Sequence, residues 1–306
     1  MGTLWLCLIS FMLILYVLLD GFDLGIGAIH LLVARTDQER REVLASIGPV
    51  WNGNEVLLIA AGGVLFFAFP LLYASGFSGF YFPLMMILWL FMLRGISIEF
   101  RNELRNAIWG PLWDVVFSAS SLLLSVFFGV ALANVVREVP LDATGYFFEP
   151  LWTDFRVGDK TGILDWYTLL VGLLALAFLA MHGGLWLRLK TNGSVGERSR
   201  KLSGSAWWAV AALGILATAT SFRVQPSIAK NFATRPWGLV FPAIAIVGLI
   251  AVKLAIASNR ELRAFLFSSI CLAGMMAAAV FGIYPMVLPG RNAAYSLTVQ
   301  SARAGS

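Results

Sequence analysis

The sequence predicts an all-α polytopic membrane protein. Of its 306 residues, 59% are hydrophobic and 13% are charged, and its mean hydropathy is +0.81. Soluble domains carry about 25% charged residues. The apolar residues also fall into long runs, and about 20 consecutive apolar residues let an α-helix cross a hydrocarbon core about 30 Å thick.

Eight apolar runs are long enough to span the membrane. They cover residues 4–33, 50–73, 77–98, 115–136, 163–187, 207–222, 237–257 and 264–286. We expect two four-helix bundles, a partner-facing bundle in residues 1–136 and a second bundle in residues 163–286, joined by an outer loop at 137–162. Pro285 closes the last helix because proline cannot continue one. The polar tail, 287–306, does not reach a ninth span.

The basic residues predict the orientation of the chain. Of the 22 Lys and Arg residues, 14 lie in or beside the odd-numbered loops and eight in the even-numbered loops and the tail. The positive-inside rule therefore places the N-terminus outside. The net charge of +5 is explained by these orienting loops, so nucleic acid is not an expected partner.

Ionisable side chains interrupt the first apolar run. Asp20, Asp23 and His30 lie with Gly27 along one stripe of the predicted helix. A carboxylate at the centre of a membrane helix costs roughly 2.5 to 3.5 kcal/mol. This placement predicts proton or ion handling, with the stripe facing protein or water.

The second run opens on a polar segment that contains Trp51, Asn52 and Glu55. Pro49 in a first turn, an asparagine cap and an interfacial tryptophan account for much of it. Glu55 is left over. It is stabilised by the helix macrodipole or takes part in a proton relay, and both interpretations stay open.

Arg94, Glu99 and Arg101 lie at the inner end of the third run. Arg94 could extend to the membrane boundary, pair with a carboxylate of the first helix, or contact a haem propionate of a neighbouring subunit. Glu99 could pair with a neighbouring arginine.

The chain offers no ligand set for a metal and no catalytic group of its own. Its two cysteines, Cys7 and Cys271, and its two histidines, His30 and His182, are isolated from one another in sequence. From the residues alone, a proton-coupled secondary transporter fits the midplane acids. A structural scaffold is a third class, and in it the acids could be neutralised without consequence.

Four motifs in order and spacing resemble subunit II of cytochrome bd quinol oxidase. They are Asp20-Gly21-Phe22-Asp23-Leu24-Gly25-Ile26-Gly27, Gly48-Pro49-Val50-Trp51-Asn52-Gly53-Asn54-Glu55-Val56, Phe77-Ser78-Gly79-Phe80-Tyr81, and Arg94-Gly95 followed by Glu99-Phe100-Arg101. The resemblance implies a bacterial or archaeal cell-membrane complex with a homologous subunit I, which binds haem b and haem d. It also implies oxidation of quinol and reduction of oxygen to water.

The resemblance also implies roles for the candidate residues. A cytoplasmic proton path would use Asp20, Asp23, Asn52, Glu55 and His30, and Trp51 would lie near the partner or its haem. A bound quinone, membrane lipid and a small accessory subunit are further candidate partners. Many family members have aspartate at position 52, so Glu55 or water would replace it here. Most also have a ninth helix, so this sequence is either truncated or from a lineage that ends early.

Overall fold

The computed structural model describes residues 1–104, 107–158, 160 and 162–305. Within these ranges the chain forms eleven α-helices and one two-stranded sheet. The helices are α1 (Gly2–Val33), α2 (Asp37–Ala45), α3 (Trp51–Ala68), α4 (Pro70–Gly79), α5 (Tyr81–Phe100), α6 (Trp109–Arg137), α7 (Trp166–Lys190), α8 (Gly193–Val224), α9 (Pro226–Thr234), α10 (Val240–Ala257) and α11 (Glu261–Ile283). The antiparallel strands are β1 (Met286–Leu288) and β2 (Leu297–Thr298).

Eight of the described helices are long and apolar enough to cross a membrane, which confirms the predicted fold class. They are α1, α3, α5, α6, α7, α8, α10 with the 3-10 turn before it, and α11. The other three helices, α2, α4 and α9, have nine or ten residues each. They connect the spans.

The prediction of one helix over residues 50–73 is wrong. The helix ends at Ala68, Phe69 takes a non-helical conformation (φ −134°, ψ 67°), and Pro70 begins α4. Proline has no backbone N–H, and it disfavours helical geometry in the residue before it. The apolar run therefore continues past the point where the backbone turns.

Other predicted boundaries also differ. Helix α6 begins at Trp109 instead of 115, and α8 begins at Gly193 instead of 207. Hydropathy detects only the apolar part of a helix, whereas backbone hydrogen bonding continues into the polar turns beyond it. The last helix ends at Ile283, short of the predicted 286, because Met286 belongs to β1.

Buried apolar clusters define the two ends of the helix bundle. One cluster joins the start of α1 with Phe69, the segment around Leu141 and the two strands, and we call this end the N-terminal side. The other joins Val33 at the end of α1 with α2 and the start of α8, and we call it the basic side.

Helix α1 lies at the centre of the molecule and packs against α3, α6 and α7. Its closest approach to α7 is at Gly25 and Gly183. A Cβ on Gly183 would lie 2.5 Å from the Ile26 nitrogen and 2.6 Å from the Gly25 carbonyl carbon. The two backbones touch there, so glycine is required at the crossing.

Arg137 organises the N-terminal side. Its guanidinium donates to Glu149 at 3.0 and 3.1 Å, to the Gly162 carbonyl at 2.9 Å, and to Asp165. Asp165 also caps α7 through a capping box with Thr168. The loop between α6 and α7 is thereby fixed by hydrogen bonds to a buried arginine.

Candidate functional site: two buried charge clusters

The first cluster surrounds Arg94, which is fully buried. Its Nη2 donates to Asp20 Oδ1 at 2.7 Å and its Nη1 donates to Glu55 Oε1 at 2.7 Å. Asp23 Oδ2 lies 4.0 Å from Arg94 Nη2. We call Asp20, Asp23, Asn54, Glu55 and Arg94 the Arg94 cluster.

Neutral side chains complete the Arg94 cluster. Tyr16, one turn before Asp20, donates its hydroxyl to Asp20 Oδ2 at 2.8 Å. Asn54 Nδ2 donates to Asp23 Oδ2 at 2.8 Å and to the Leu19 carbonyl at 3.2 Å. Helices α1, α3 and α5 therefore each contribute side chains to one polar network.

The second cluster surrounds Asp114, which is also buried. Asp114 Oδ1 lies 2.9 Å from His30 Nε2 and accepts from Arg101 Nε at 2.6 Å. Asp114 Oδ2 accepts from Arg40 Nη1 at 3.0 Å. Arg101 also donates to Asp37 at 2.8 Å. We call Asp37, His30, Arg40, Arg101 and Asp114 the Asp114 cluster.

The Asp114 cluster reaches the surface on the basic side. The side chain of Arg40 is 25% exposed and that of Asp37 is 62% exposed, whereas those of His30 and Asp114 are fully buried. Arg101, beside Asp37, lowers the pKa of the Asp37 carboxyl. This outer carboxylate is therefore ionised at neutral pH.

Helix α2, which carries Arg40, is held in place by Glu39. Arg198 Nη2 lies 2.6 Å from Glu39 Oε1, and the Ser194 hydroxyl donates to the same oxygen at 2.6 Å. These contacts lower the pKa of Glu39 to about 2. Glu39 thus remains charged across the working range and anchors α2 to α8.

The structure separates the predicted site residues. Asp20, Asp23, Glu55 and Arg94 lie together, while His30 belongs to the other cluster. Asn52 is exposed, and Asn54 supplies the amide beside Asp23. The ring of Trp51 is buried and lies against Gly95.

Two of the open alternatives for the third run can be compared with the contacts. Arg94 pairs with a carboxylate of the first helix and does not extend to the boundary. Arg101 pairs with Asp114 and Asp37, whereas Glu99 is exposed. The buried guanidinium also reaches the second span, because it donates to both Asp20 and Glu55.

Asp114 was missed by reasoning from the sequence. The helix predicted over residues 115–136 begins one residue after Asp114, whereas α6 includes Asp114. A lone acid directly before an apolar run, with arginines in the neighbouring loops, is the signal that was available.

The two histidines make different contacts. Both ring nitrogens of His182 are engaged, Nδ1 with Ser268 Oγ at 2.7 Å and Nε2 with the Leu18 carbonyl at 3.1 Å. His30 uses Nε2 toward Asp114 and lies edge-on against Phe117. Among the described residues, no three His, Cys, Asp or Glu side chains form a group that could hold a metal ion.

Fold and site together define a class: a multi-pass helical membrane protein with two buried charge clusters at one end of its bundle. Comparison with known proteins identifies the family. The family model for cytochrome bd terminal oxidase subunit II matches residues 1–306. The chain therefore belongs to this family, and the predicted resemblance is confirmed.

Individual relatives agree with this membership. A probable cytochrome oxidase subunit 2 of Haemophilus influenzae is 31% identical over 94% of this chain and 82% of its own length. Cytochrome bd-I ubiquinol oxidase subunit 2 of Escherichia coli K12 is 28% identical over 93% of this chain and 81% of its own length. Cytochrome bd ubiquinol oxidase subunit 2 of Bacillus subtilis is 28% identical over 99% of this chain and 86% of its own length.

A solved structure has the same fold. A chain of the bd oxidase from Geobacillus thermodenitrificans superposes with a TM-score of 0.75 at 17% identity, covering 99% of this chain and 89% of that one. At this identity the likeness concerns the fold alone.

Proposed function

We propose that this chain is subunit II of a bacterial cytochrome bd-type quinol:oxygen oxidoreductase and carries protons from the cytoplasm toward the oxygen-reducing site. The observation that carries the proposal is the composition of the Arg94 cluster. One guanidinium faces three carboxylates, a formal charge of −2 if all are ionised. Such an excess is costly inside a membrane unless the cluster binds protons or meets a cationic group of a partner.

The exposure of Glu55 supports a contact between the cluster and the partner. Its side chain is 24% exposed, whereas those of Arg94, Asp20 and Asp23 are fully buried. The exposed side of α3 continues from Asn52 through the apolar residues Val56 and Ile59. A carboxylate on an apolar membrane-depth surface favours contact with a protein over contact with lipid, so α3 is proposed to face subunit I.

The redox groups are proposed to belong to subunit I. Haem b and haem d, when bound there, supply the electron transfer from quinol and the reduction of oxygen. Asp20, Asp23 and Glu55 hold and pass protons at their carboxyl oxygens, and Arg94 fixes their positions. A bound quinone, membrane lipid and an accessory subunit remain part of this proposal as partners of the complex.

Isosteric neutralisation tests the proposal. Asp23→Asn and Glu55→Gln keep the side-chain shapes and remove the titrating groups. In the purified two-subunit complex, haem spectra should match the parent while quinol-driven oxygen consumption falls by about 10² or more, the usual size of a lost proton-transfer group. Glu55→Gln should have the larger effect, because Asn52 cannot relay a proton.

Glu103→Gln is the matched control, because Glu103 is an exposed acid on the basic side. It should turn over at the parental rate. Parental turnover in both Asp23→Asn and Glu55→Gln would place the proton path elsewhere and make these carboxylates structural.

A further inference from the structure

The two charge clusters are joined by a narrow contact between α1 and α6. Gly27 faces Ser121 and Phe117 there, His30 packs against Phe117, and Asp23 precedes Gly27 by about one turn of α1. A Cβ on Gly27 would overlap the Ser121 hydroxyl. We call this contact, bounded by Asp23, Gly27 and His30 on α1 and by Phe117 and Ser121 on α6, the α1–α6 seam.

Three buried polar atoms along the seam have no hydrogen-bond partner among the described residues. They are Asp23 Oδ1, Ser121 Oγ and His30 Nδ1, and all three residues are 0% exposed. Buried polar atoms of folded proteins are nearly always hydrogen-bonded, to protein or to ordered water. Asp23, Gly27 and His30 share one face of α1 by their i, i+4 and i+7 spacing, and Ser121 contacts that face at Gly27. Three unpartnered atoms there therefore point to a small ligand with both donors and acceptors.

Ser121 differs from its neighbours on α6 in this respect. Ser120 donates to the Val116 carbonyl at 2.7 Å, and Ser125 donates to the Ser121 carbonyl at 2.8 Å. Both therefore bond one turn back along their own helix, the usual arrangement for a buried helical serine. The Ser121 hydroxyl makes no such bond and remains available to the seam.

The spacing along α1 suits one or two water molecules on each side of Gly27. The helix rises 1.5 Å per residue, so Gly27 lies about 6 Å from Asp23 and about 4.5 Å from His30 along the axis. A water with two hydrogen bonds of about 2.8 Å bridges atoms up to about 5.6 Å apart. Phe117 narrows the His30 end, since its ring packs edge-on against the imidazole with centroids 5.4 Å apart.

We infer that ordered water molecules occupy the α1–α6 seam and connect the Asp114 cluster with Asp23, with Ser121 as the positioning residue. The role in proton delivery rests on the proposed function. His30 protonated on both ring nitrogens passes its Nδ1 proton to the first water and is left neutral, with its Nε2–H toward Asp114 Oδ1. Each water accepts one proton and donates another, and Asp23 Oδ1 accepts the last. Only protons move, so no oxidant or reductant is involved.

The seam is tested on the two-subunit complex. A cryo-EM map of the parent that resolves buried waters should show water density within hydrogen-bonding distance of Ser121 Oγ and of Asp23 Oδ1. In the map of Ser121→Ala, the water density beside residue 121 should be absent. Quinol-driven oxygen consumption of Ser121→Ala should fall about three- to tenfold, the effect of one hydrogen bond of ordinary strength. Ser121→Thr, which keeps the hydroxyl, should restore most of the rate.

Ser125→Ala is the matched control, since Ser125 is equally buried on the same helix and bonds to its own backbone. It should behave as the parent. A map with resolved waters elsewhere and none at the seam would overturn the inference, even if Ser121→Ala fails to assemble. Density at the seam with parental turnover of Ser121→Ala would overturn the delivery role.

These outcomes are distinguishable from failure of the proposed function. If Asp23→Asn and Glu55→Gln both turn over normally, the proposed function fails and the delivery role with it, while the presence of the waters is still tested by the map. If Asp23→Asn is slow and Ser121→Ala is parental, protons reach Asp23 by another route.

Discussion

At the scale of single residues, Arg94 determines how the acids of the first two spans are arranged. It contacts two carboxylates directly, Asp20 and Glu55, each at 2.7 Å. Its planar guanidinium donates to both at once, which the ammonium group of lysine does not reproduce. Arg94 of α5 therefore links α1 and α3 through ion pairs. Apolar side chains alone would specify less well which helices lie side by side.

Arg94→Ala should destabilise the complex strongly. Removing one partner of a buried ion pair leaves uncompensated charge and costs about 3 to 5 kcal/mol. We expect a lower thermal unfolding midpoint of the purified complex, with Arg94→Lys between the variant and the parent. Arg41→Ala is the control, because the Arg41–Asp37 pair is exposed. An unchanged midpoint in Arg94→Ala would show that the cluster does not stabilise the assembly.

Two nearby asparagines differ in their contacts. Asn52 and Asn54 lie two residues apart at the start of α3, and only Asn54 reaches Asp23. Residues two apart on a helix point about 200° apart, so just one of them faces α1. Family resemblance drew attention to Asn52, whereas the helix geometry selects Asn54 as the hydrogen-bond donor of the cluster.

At the scale of elements, the crossing of α1 and α7 holds the first four spans against the last four. The contact between Gly25 and Gly183 brings the backbones together. The His182 side chain, one residue before Gly183, bonds the Leu18 carbonyl of α1 at 3.1 Å. Close backbone contact and a buried hydrogen bond therefore hold α1 and α7 together at this crossing.

Gly183→Ala should separate α1 from α7. The added methyl group would meet backbone atoms at 2.5 to 2.8 Å, which cannot rotate away. Overpacking of this kind costs about 1 to 3 kcal/mol, measured as a lower unfolding midpoint of the purified complex. Gly214→Ala is the control, because a Cβ there meets nothing within 4 Å. Equal midpoints for the two variants would contradict the contact.

At the scale of the whole molecule, the charged clusters lie toward one end of the bundle. The Asp114 cluster opens on the basic side beside α2, and the Arg94 cluster lies further along α1. The Arg137 network is at the opposite end and links the loop between α6 and α7 to both helices. One end thus carries the charged groups proposed to pass protons, and the other carries the Arg137 ion pairs.

The orientation of the molecule is open to a direct test. Gln38, beside the basic side, and Ala143, in the loop after α6, are both exposed. With the N-terminus outside, Gln38→Cys should react with a membrane-impermeant thiol reagent only from the cytoplasm and Ala143→Cys only from outside. The test should be made in a background without Cys7, which is exposed. Labelling of both cysteines from one side would reject this topology.

The amino-acid pattern predicts the fold class and the approximate positions of the eight spans, because membrane helices must be apolar over a fixed length, and its four ordered motifs predict the family. It also identified Asp20, Asp23, Glu55 and Arg94 as unusual. Their pairing could not be read from it, since i, i+3 and i+4 spacing describes one helix and says nothing about which helix lies opposite.

The tertiary structure, and not the sequence, shows that Arg94 pairs with carboxylates of two helices, that His30 lies against Asp114, and that Ser121 faces Gly27. It also placed a break at Phe69 inside an apolar run. Hydropathy measures transfer into lipid, whereas hydrogen-bond partners depend on the rotation and depth of each helix relative to its neighbours. Those two quantities arise from packing, which is why the sequence predicted the acids and not their contacts.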